Sequence, residues 1–548
     1  MQRGALLQRL WPHATIGGVL LAMFGGLAVR GFNFGLYADV LVYIYRYQVH
    51  GTRGGMNWLV VDHWHRHLAG ALVSAPLHVL FPPDDAPWFA LAFFLHFLNA
   101  FVFFCFLYDW LRGKHKLLIF SAALIFAFDT LDIIYQYIYG TSSHQKFALT
   151  LAILSLWCYM RFVRNGRQQL MLYNASWFLF ALGGSIYEQS LFFFMLHPFL
   201  AIVEEWQQPI AQPRRPYLIR LFNDMIPYGL FVLAYAYLLD VLFLSSRSNI
   251  TVGHIVTQFV ESFRIALFPV DIIGRMSFAW QGAWTLLTAA VGLIAGVALW
   301  QWRKRTFTEQ APLMMIALFG FGISFLNVAN IAPTDFNVNF DSRLIYAMSL
   351  GNSLLVIAAV DWVTRRIPNT RVHLAVFSIV LGVWIGSGVS YFFRQQHVFL
   401  TQDTVREQVR TAVHEALPMW DEETPPYLLI LTDKHPQDDL FLFAQNNDFP
   451  FIFDLMYDTE GILADAVFYD IEKPPETSEQ HIIATEDGII SPLRPDQRID
   501  PERLVVIAYD SETDTANVLD AMPEDALAGS NLHTEVPFDW ETNRDYLN

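Results

Sequence analysis

Residues 88–110 read WFALAFFLHFLNAFVFFCFLYDW and contain a single charged side chain, Asp109. About 20 apolar residues in a helix cross roughly 30 Å of hydrocarbon, so this stretch predicts a transmembrane helix. Further candidate spans lie near 14–30, 117–135, 147–163, 170–186, 189–204, 224–244, 282–302, 311–330, 342–362 and 373–393. The pattern predicts an all-α polytopic membrane bundle of about eleven transmembrane helices.

The composition divides the chain into an apolar part and an acidic part. Of the 548 residues 54% are hydrophobic and only 16% are charged, whereas an average soluble domain is about a quarter charged. From His397 onward the sequence has 33 of the 51 acidic and 8 of the 35 basic side chains, a net charge of −25 that leaves +9 before it. We therefore predict a transmembrane domain over 1–394 with a long first outer loop, 31–87, and an acidic soluble domain over 395–548. The acidity disfavours nucleic acid as a partner.

Basic side chains predict the orientation. With the N-terminus inside, the basic segments all fall on the cytoplasmic side, as the positive-inside rule requires. About eleven spans then place the C-terminal domain outside the cytoplasm. The segments used are 112–116, 161–167, 214–215, 303–305 and 365–366.

The acidic part contains three short apolar runs, 427–432, 451–453 and 504–509, separated by Pro, Gly and Asp residues. This spacing is typical of β-strands joined by turns, and it predicts a small α/β domain. Acidic clusters such as 421–423 lack the spacing of a calcium loop and are interpreted as solvated surface.

Ionisable side chains are concentrated where the predicted helices meet the outer surface. Such positions are costly for charge and are therefore candidate functional sites. Carboxylates beside several cations suit a reaction in which an acid takes a proton while Arg or Lys neutralises a phosphate leaving group. The candidates are Asp39, Asp62, His65, Arg66, His144, Lys146, Glu188 and Arg343.

Structural roles are the alternative for several of these side chains. Asp39 is also suited to capping a helix over 40–47. Arg343 is also suited to an ion pair with Asp341 or Glu188. The histidine-rich string 62–67 lacks an HExxH pattern, so no metal site is predicted there.

Two polar residues interrupt the apolar run over 88–110. His96 and Asn99 are three residues apart and share one side of the helix. We interpret them as hydrogen-bond partners between helices rather than as ligands.

Six segments also stand, in order, where a known class of enzymes has its motifs, and SHQK departs furthest from the motif at its position. They are YADV at 37–40, HRHL at 65–68, LHFLNA at 95–100, SHQK at 143–146, SIYE at 185–188 and RLIYAMSLG at 343–351, the last being the most specific. The chain resembles the GT-C class of polytopic glycosyltransferases, in particular bacterial relatives of the protein O-mannosyltransferases and the transmembrane-and-TPR O-mannosyltransferases. No tetratricopeptide repeats follow, and the acidic domain takes their place.

The resemblance implies a GT-C-like fold and transfer of a sugar from a polyprenyl- or dolichyl-phosphate carrier to an extracytoplasmic glycan or protein acceptor. It makes Asp39 the general base, with Asp62 as the alternative candidate. The remaining implied substrate- and phosphate-binding residues are Arg66, His65, His144, Lys146, Glu188, Arg343 and Tyr346. It implies membrane lipids as partners and no certain cofactor, with a divalent cation left open. A bacterial inner membrane is the expected location.

Two other functions stay open at this stage. A transporter or flippase for a lipid-linked saccharide would use acids within the membrane, for which Asp129 and Asp132 are candidates. A catalytically inactive scaffold presenting the acidic domain would account for the motif positions that depart from the class, such as the single acid at Asp39.

Overall fold

The structure is a computed structural model that describes residues 2–28, 86–128, 142–206, 214–242, 313–331, 346–364, 369–420, 424–432, 463–468, 482–491, 497–510, 512–524, 532–534 and 540–544, together with isolated positions. The chain divides into two compact units. The described residues of the first end at Gln395, and those of the second begin at Gln396.

The first unit is built from α-helices. They are α1 Gln2–Ala28, α2 Ala86–Trp110, α3 Lys116–Ala127, α4 Ser142–Arg164, α5 Leu170–Ile186, α6 Leu196–Trp206, α7 Arg214–Leu242, α8 Leu313–Ile331, α9 Met348–Thr364 and the start of α10 Thr370–Ala416. A 3₁₀-helix, Glu188–Met195, precedes α6. Among the described residues, three stretches are long and apolar enough to span a membrane: Pro87–Trp110, Ser143–Arg164 and Leu218–Tyr235.

The predicted spans overlap the helices where both are described, but several bounds differ: α1 begins at Gln2 rather than 14, α7 begins at Arg214 rather than 224, and α3 ends at Ala127 rather than 135. Two further differences affect the architecture. The structure confirms helices over 88–110 and 170–186, whereas the span predicted at 282–302 lies outside the described residues. The span predicted as one α-helix at 189–204 is wrong, because the chain forms a 3₁₀-helix followed by a short α-helix. Pro198, in the first turn of α6, accounts for this because proline fits a helix start and not a helix interior.

The second difference is at α10, which is longer than the predicted span 373–393. It has 47 residues and continues to Ala416. The change from apolar to acidic composition near His397 therefore falls inside one helix rather than in a loop.

Helices α8 and α9 approach closely at two glycines. A Cβ atom added at Gly320 would lie 2.7 Å from the carbonyl oxygen of Gly351 and 2.8 Å from the Cβ of Leu354. Such distances are impossible for a side chain, so both positions require glycine for backbone contact. This crossing positions the start of α9 and the residues just before it.

One end of the bundle is held by ion pairs between four helices. Arg164 of α4 binds Glu204 of α6 at 2.7 Å and Asp109 of α2 at 3.0 Å. Arg167, just after α4, binds Glu205 at 2.5 Å and Asp224 of α7 at 2.8 Å. These arginines belong to the segment that predicted the cytoplasmic side, and their pairing shows that they also connect helices.

The second unit contains a mixed four-stranded sheet. Its strands are β1 Tyr427–Thr432, β2 Leu463–Phe468, β5 Leu504–Asp510 and β6 Thr515–Leu519, in the order β2-β1-β5-β6. β1 pairs in parallel with β2 and with β5, and β6 is antiparallel to β5. A smaller sheet, in the order β4-β3-β7, comprises β3 Ile482–Thr485, β4 Gly488–Ile490 and β7 Leu532–Thr534.

The central strands are apolar throughout because both faces of the sheet are covered. Val409 and Val413 of α10 pack on one face, against Leu428 and Ile507. The other face packs against the smaller sheet and Trp540. The predictions of strands at 427–432 and 504–509 are confirmed. The strand predicted at 451–453 is wrong at Phe453, which has helical backbone and contributes its apolar side chain to the cluster around α10.

Candidate functional site

The described residues include three of the predicted site side chains, His144, Lys146 and Tyr346. The backbone of Glu188 starts the 3₁₀-helix, and its side chain is not described. The predicted residues Asp39, Asp62, His65, Arg66 and Arg343 lie outside the described part of the chain.

Segments that are distant in the sequence meet around Tyr346. Its hydroxyl lies 2.9 Å from Nδ1 of His96 and accepts a hydrogen bond from Nδ2 of Asn99 at 3.3 Å. The Nζ atom of Lys146 lies 6.0 Å from the centroid of its ring. Tyr346, His96, Asn99 and Lys146 are all buried, and we call these four residues the Tyr346 cluster.

The local structure explains why these side chains converge. His96 and Asn99 are three residues apart in α2, so they share one helix face. Lys146 and Thr150 are four residues apart in the first turns of α4 and also share a face. Thr150 donates to Oδ1 of Asn99 at 2.6 Å, which connects α4 to α2.

Lys146 is the electrostatic centre of the cluster, with a relative exposure of 0%. A buried ammonium group loses its hydration, which costs free energy unless other groups compensate. The ring face of Tyr346 is one such group, because its quadrupole attracts a cation. Buried ionisable groups in membrane helices are functional candidates for this reason.

A fourth segment completes the site on another side. Nε2 of Gln145 donates to the hydroxyl of Tyr187 at 2.5 Å. Gln145, Tyr187 and Tyr346 line a cavity of about 10 Å³, together with Ser190. This volume is about that needed for one water molecule. Parts of the segments 95–100, 143–146, 185–188 and 343–351 thus lie together.

Sequence reasoning recognised some of these roles and missed others. The interpretation of His96 and Asn99 as hydrogen-bond partners between helices is confirmed. Thr150 and Tyr187 were missed, and the only available signal for Thr150 was its spacing of four residues from Lys146. No group of three or more His, Cys, Asp or Glu side chains that could hold a metal ion occurs among the described residues.

No protein-family model matches the sequence, and no curated protein matches it. Among solved structures, the chain is similar to the crystal structure of ArnT from Cupriavidus metallidurans bound to undecaprenyl phosphate. The sequence identity is 10%, the TM-score is 0.42, and the match covers 82% of this chain and 92% of that chain. A TM-score this low shows neither a common fold nor a common function.

The C-terminal domain contains a separate buried carboxyl group. Oδ2 of Asp465 in β2 accepts a hydrogen bond of 2.7 Å from the hydroxyl of Tyr427 in β1. Burial raises the pKa of Asp465 from its ordinary value of 3.8 to about 6, although hydrogen bonds from Ser491 and Tyr427 oppose this rise. The folded domain therefore binds the proton more tightly than the unfolded chain.

We expect Asp465 to weaken the C-terminal domain as the pH rises. Its contribution is fully present below pH 3.8 and is lost as the pH passes through about 6. One pKa unit corresponds to about 1.4 kcal/mol, so the shift costs about 3 kcal/mol at neutral pH. Asp465→Asn, which does not ionise, should stabilise the domain at pH 7 by up to about this amount.

Pulse proteolysis in urea measures this effect on the full chain in detergent micelles. The difference in unfolding free energy between Asp465→Asn and wild type should grow from pH 4 to pH 7. Asp520→Asn, an exposed position in the same domain, is the control. A difference that is the same at both pH values would show that Asp465 does not titrate with a raised pKa.

Proposed function

We propose that this protein is a GT-C-like glycosyltransferase that moves a sugar from a polyprenyl-phosphate-linked donor to an acceptor on the extracytoplasmic side of the membrane. The observation that carries the proposal is that parts of four segments, which follow one another where that class has its motifs, lie together around the Tyr346 cluster with its buried Lys146. A buried cation within membrane helices is costly to place and is therefore a candidate functional group.

The proposed role of Lys146 follows from the charge that develops in the reaction. When the bond between the sugar and the carrier phosphate breaks, the phosphate gains negative charge. A fixed cation in a site without water stabilises this charge strongly, because it needs no reorganisation and little solvent screens it. Lys146 would supply this cation, and the hydroxyl and amide groups around it would fix its position.

Other cations are proposed to join Lys146 at the phosphate. Arg343 is three residues before Tyr346, so its Cα lies within about 11 Å of the Cα of Tyr346 whatever the backbone conformation. Its planar guanidinium suits bidentate contact with phosphate. Arg66 and His65 of the outer loop would contribute as the resemblance implies.

The acceptor side of the reaction needs a base and a positioning acid. Asp39 would take the proton from the acceptor hydroxyl, with Asp62 in reserve. Glu188 directly follows Tyr187, which lines the small cavity, and would orient a cation or the sugar. His144, which is two residues from Lys146, would contact the substrate.

The proposed setting is a bacterial inner membrane. The N-terminus would be cytoplasmic, and the acidic domain would lie on the side where the acceptor, a glycan or a protein, is found. The finer expectation of mannosyl transfer comes from the resemblance to O-mannosyltransferases. A divalent cation bound to the carrier phosphate is compatible with this proposal.

The test is transfer of radiolabelled sugar from polyprenyl-phosphate sugars to an acceptor membrane fraction by the protein in liposomes. We expect transfer by the wild type, and a loss of about 100-fold in Asp39→Asn, because this change removes the general base. Asp85→Asn, in the same predicted outer loop, is the matched control and should transfer label normally.

Three outcomes would contradict the proposed function or the assignment of Asp39 as its general base. Movement of an intact lipid-linked sugar across the membrane without its cleavage would show a flippase. No consumption of any donor would support an inactive scaffold. Normal transfer by Asp39→Asn would leave Asp39 as a helix cap and move the test to Asp62.

A further inference from the structure

We propose that His96 and Asn99 are positioning residues for phosphate binding, which act by fixing Tyr346 and the backbone of Lys146. The inference rests on the proposed function, since it assigns the residues that pre-organise the cationic end of the same site. Neither residue is proposed to touch the substrate.

The hydrogen bonds of His96 determine which ring nitrogen carries the proton in the neutral side chain. Nε2 lies 2.9 Å from the carbonyl oxygen of Ala127, which can only accept a hydrogen bond. Nε2 therefore carries the proton. In the neutral ring Nδ1 is then an acceptor, and it receives the hydroxyl proton of Tyr346 over 2.9 Å. Ala127 is the last residue of α3, so this hydrogen bond also connects α2 to the end of α3.

Asn99 fixes the other side of the same hydroxyl. Its Oδ1 accepts from Thr150, which orients the amide and leaves both N–H bonds of Nδ2 to donate. They reach the carbonyl oxygen of Lys146 at 2.9 Å and the hydroxyl of Tyr346 at 3.3 Å. The reversed amide would place Oδ1 against the carbonyl of Lys146, where two acceptors would repel each other.

These bonds restrain the two groups that define the cationic end. The Tyr346 hydroxyl donates to His96 and accepts from Asn99, so the ring cannot turn without breaking both bonds. The ring also contacts Phe126, with centroids 5.9 Å apart. Asn99 restrains the backbone of Lys146, whose ammonium lies over the fixed ring. Loss of either restraint would leave the charge present but less precisely placed.

The test is binding of a polyprenyl monophosphate to the full-length protein in detergent, compared with binding of the uncharged polyprenol. His96→Leu removes both hydrogen bonds and should weaken binding of the phosphate by about tenfold or more while polyprenol binding changes little. His96→Gln keeps an acceptor and a donor on neighbouring atoms and should restore phosphate binding to within about threefold of the wild type.

A matched control separates positioning from stability. His197 is equally buried, and its ring bonds the carbonyl of Phe193 at 3.1 Å and Ser155 at 3.0 Å. His197→Leu should lower the thermal stability about as much as His96→Leu, but it should leave the preference for phosphate over alcohol unchanged.

The outcomes are distinct. If His96→Leu keeps the wild-type preference, or if His96→Gln fails to restore it in a folded protein, the positioning role is overturned. If His197→Leu loses the preference equally, the effect is one of general stability and the inference is also overturned. If the wild type itself prefers neither ligand, the proposed function fails first, and His96 and Asn99 are then structural.

Discussion

Replacing Lys146 by methionine should reduce sugar transfer by about 1000-fold while leaving the protein folded, since removal of one preorganised group that stabilises developing charge costs about 100- to 1000-fold. Methionine has a similar length and fits an apolar environment, so the change removes the charge and little of the packing. Because the ammonium is fully buried, thermal unfolding of the same variant separates loss of the charge from loss of folding. Loss of activity together with retained stability is the expected signature.

The chain offers a close control for this substitution. Nζ of Lys116 also lies 6.0 Å from the centroid of a tyrosine ring, that of Tyr108. It is at the start of α3, outside the Tyr346 cluster. Lys116→Met should therefore remove an equivalent contact between a cation and a ring. It should leave transfer within about twofold of the wild type, because Lys116 lies outside the proposed site.

Initial rates of label transfer and thermal unfolding of the same preparations measure both effects. Lys146→Arg is informative as well, because it keeps the charge with a different shape and should retain partial transfer. Full transfer by Lys146→Met would remove Lys146 from the site and leave the convergence of segments without a functional explanation.

The sequence predicts the helices that form this site but not which of them are neighbours, and the reason is physical. Apolar periodicity predicts helices because the bilayer demands about 20 apolar residues, and it gave Leu170–Ile186 with its observed bounds. The same pattern says nothing about which helices are neighbours. His96 and Asn99 could be recognised as polar interruptions, but their partners, Thr150 and Ala127, lie on other helices and are defined only by packing.

The ion pairs at the end of the bundle were missed for a related reason. Basic residues such as Arg164 were used for orientation, where only their number matters. Their partners Asp109 and Glu204 lie at the ends of apolar runs and carry no motif. The side chain of Glu204 is fully buried, which neither composition nor spacing could reveal.

The second large effect is expected at this buried ion pair. Glu204→Leu should lower the free energy of unfolding of the bundle by up to about 3–5 kcal/mol, because removal of one partner of a buried ion pair leaves the charge of Arg164 only partly compensated. Arg164 binds Glu204 through two nitrogen atoms, at 2.7 Å and 3.0 Å. It would keep its bonds to the Asp109 carboxylate, to two backbone carbonyls and to Sδ of Met160.

A double-mutant cycle with Arg164→Met separates the pair from the packing of its side chains. Because the double variant no longer places the Arg164 charge beside a missing carboxylate, it should be more stable than Glu204→Leu alone. Equilibrium unfolding in mixed micelles gives the four free energies. Equal stability of the single and double variants would mean that solvent or lipid already compensates Arg164 in the absence of Glu204.

The pair at Arg544 and Asp520 is the contrasting control, since both side chains are more than two-thirds exposed, at 71% and 81%. Asp520→Asn should change stability by less than about 1 kcal/mol.

Glu204→Leu should also retain the preference for polyprenyl phosphate over polyprenol in the fraction that stays folded, since Glu204 bonds no member of the Tyr346 cluster. Lys146→Met should do the reverse, losing that preference while staying folded. Opposite behaviour of these two variants is what distinguishes a buried charge that binds substrate from a buried charge that holds helices together.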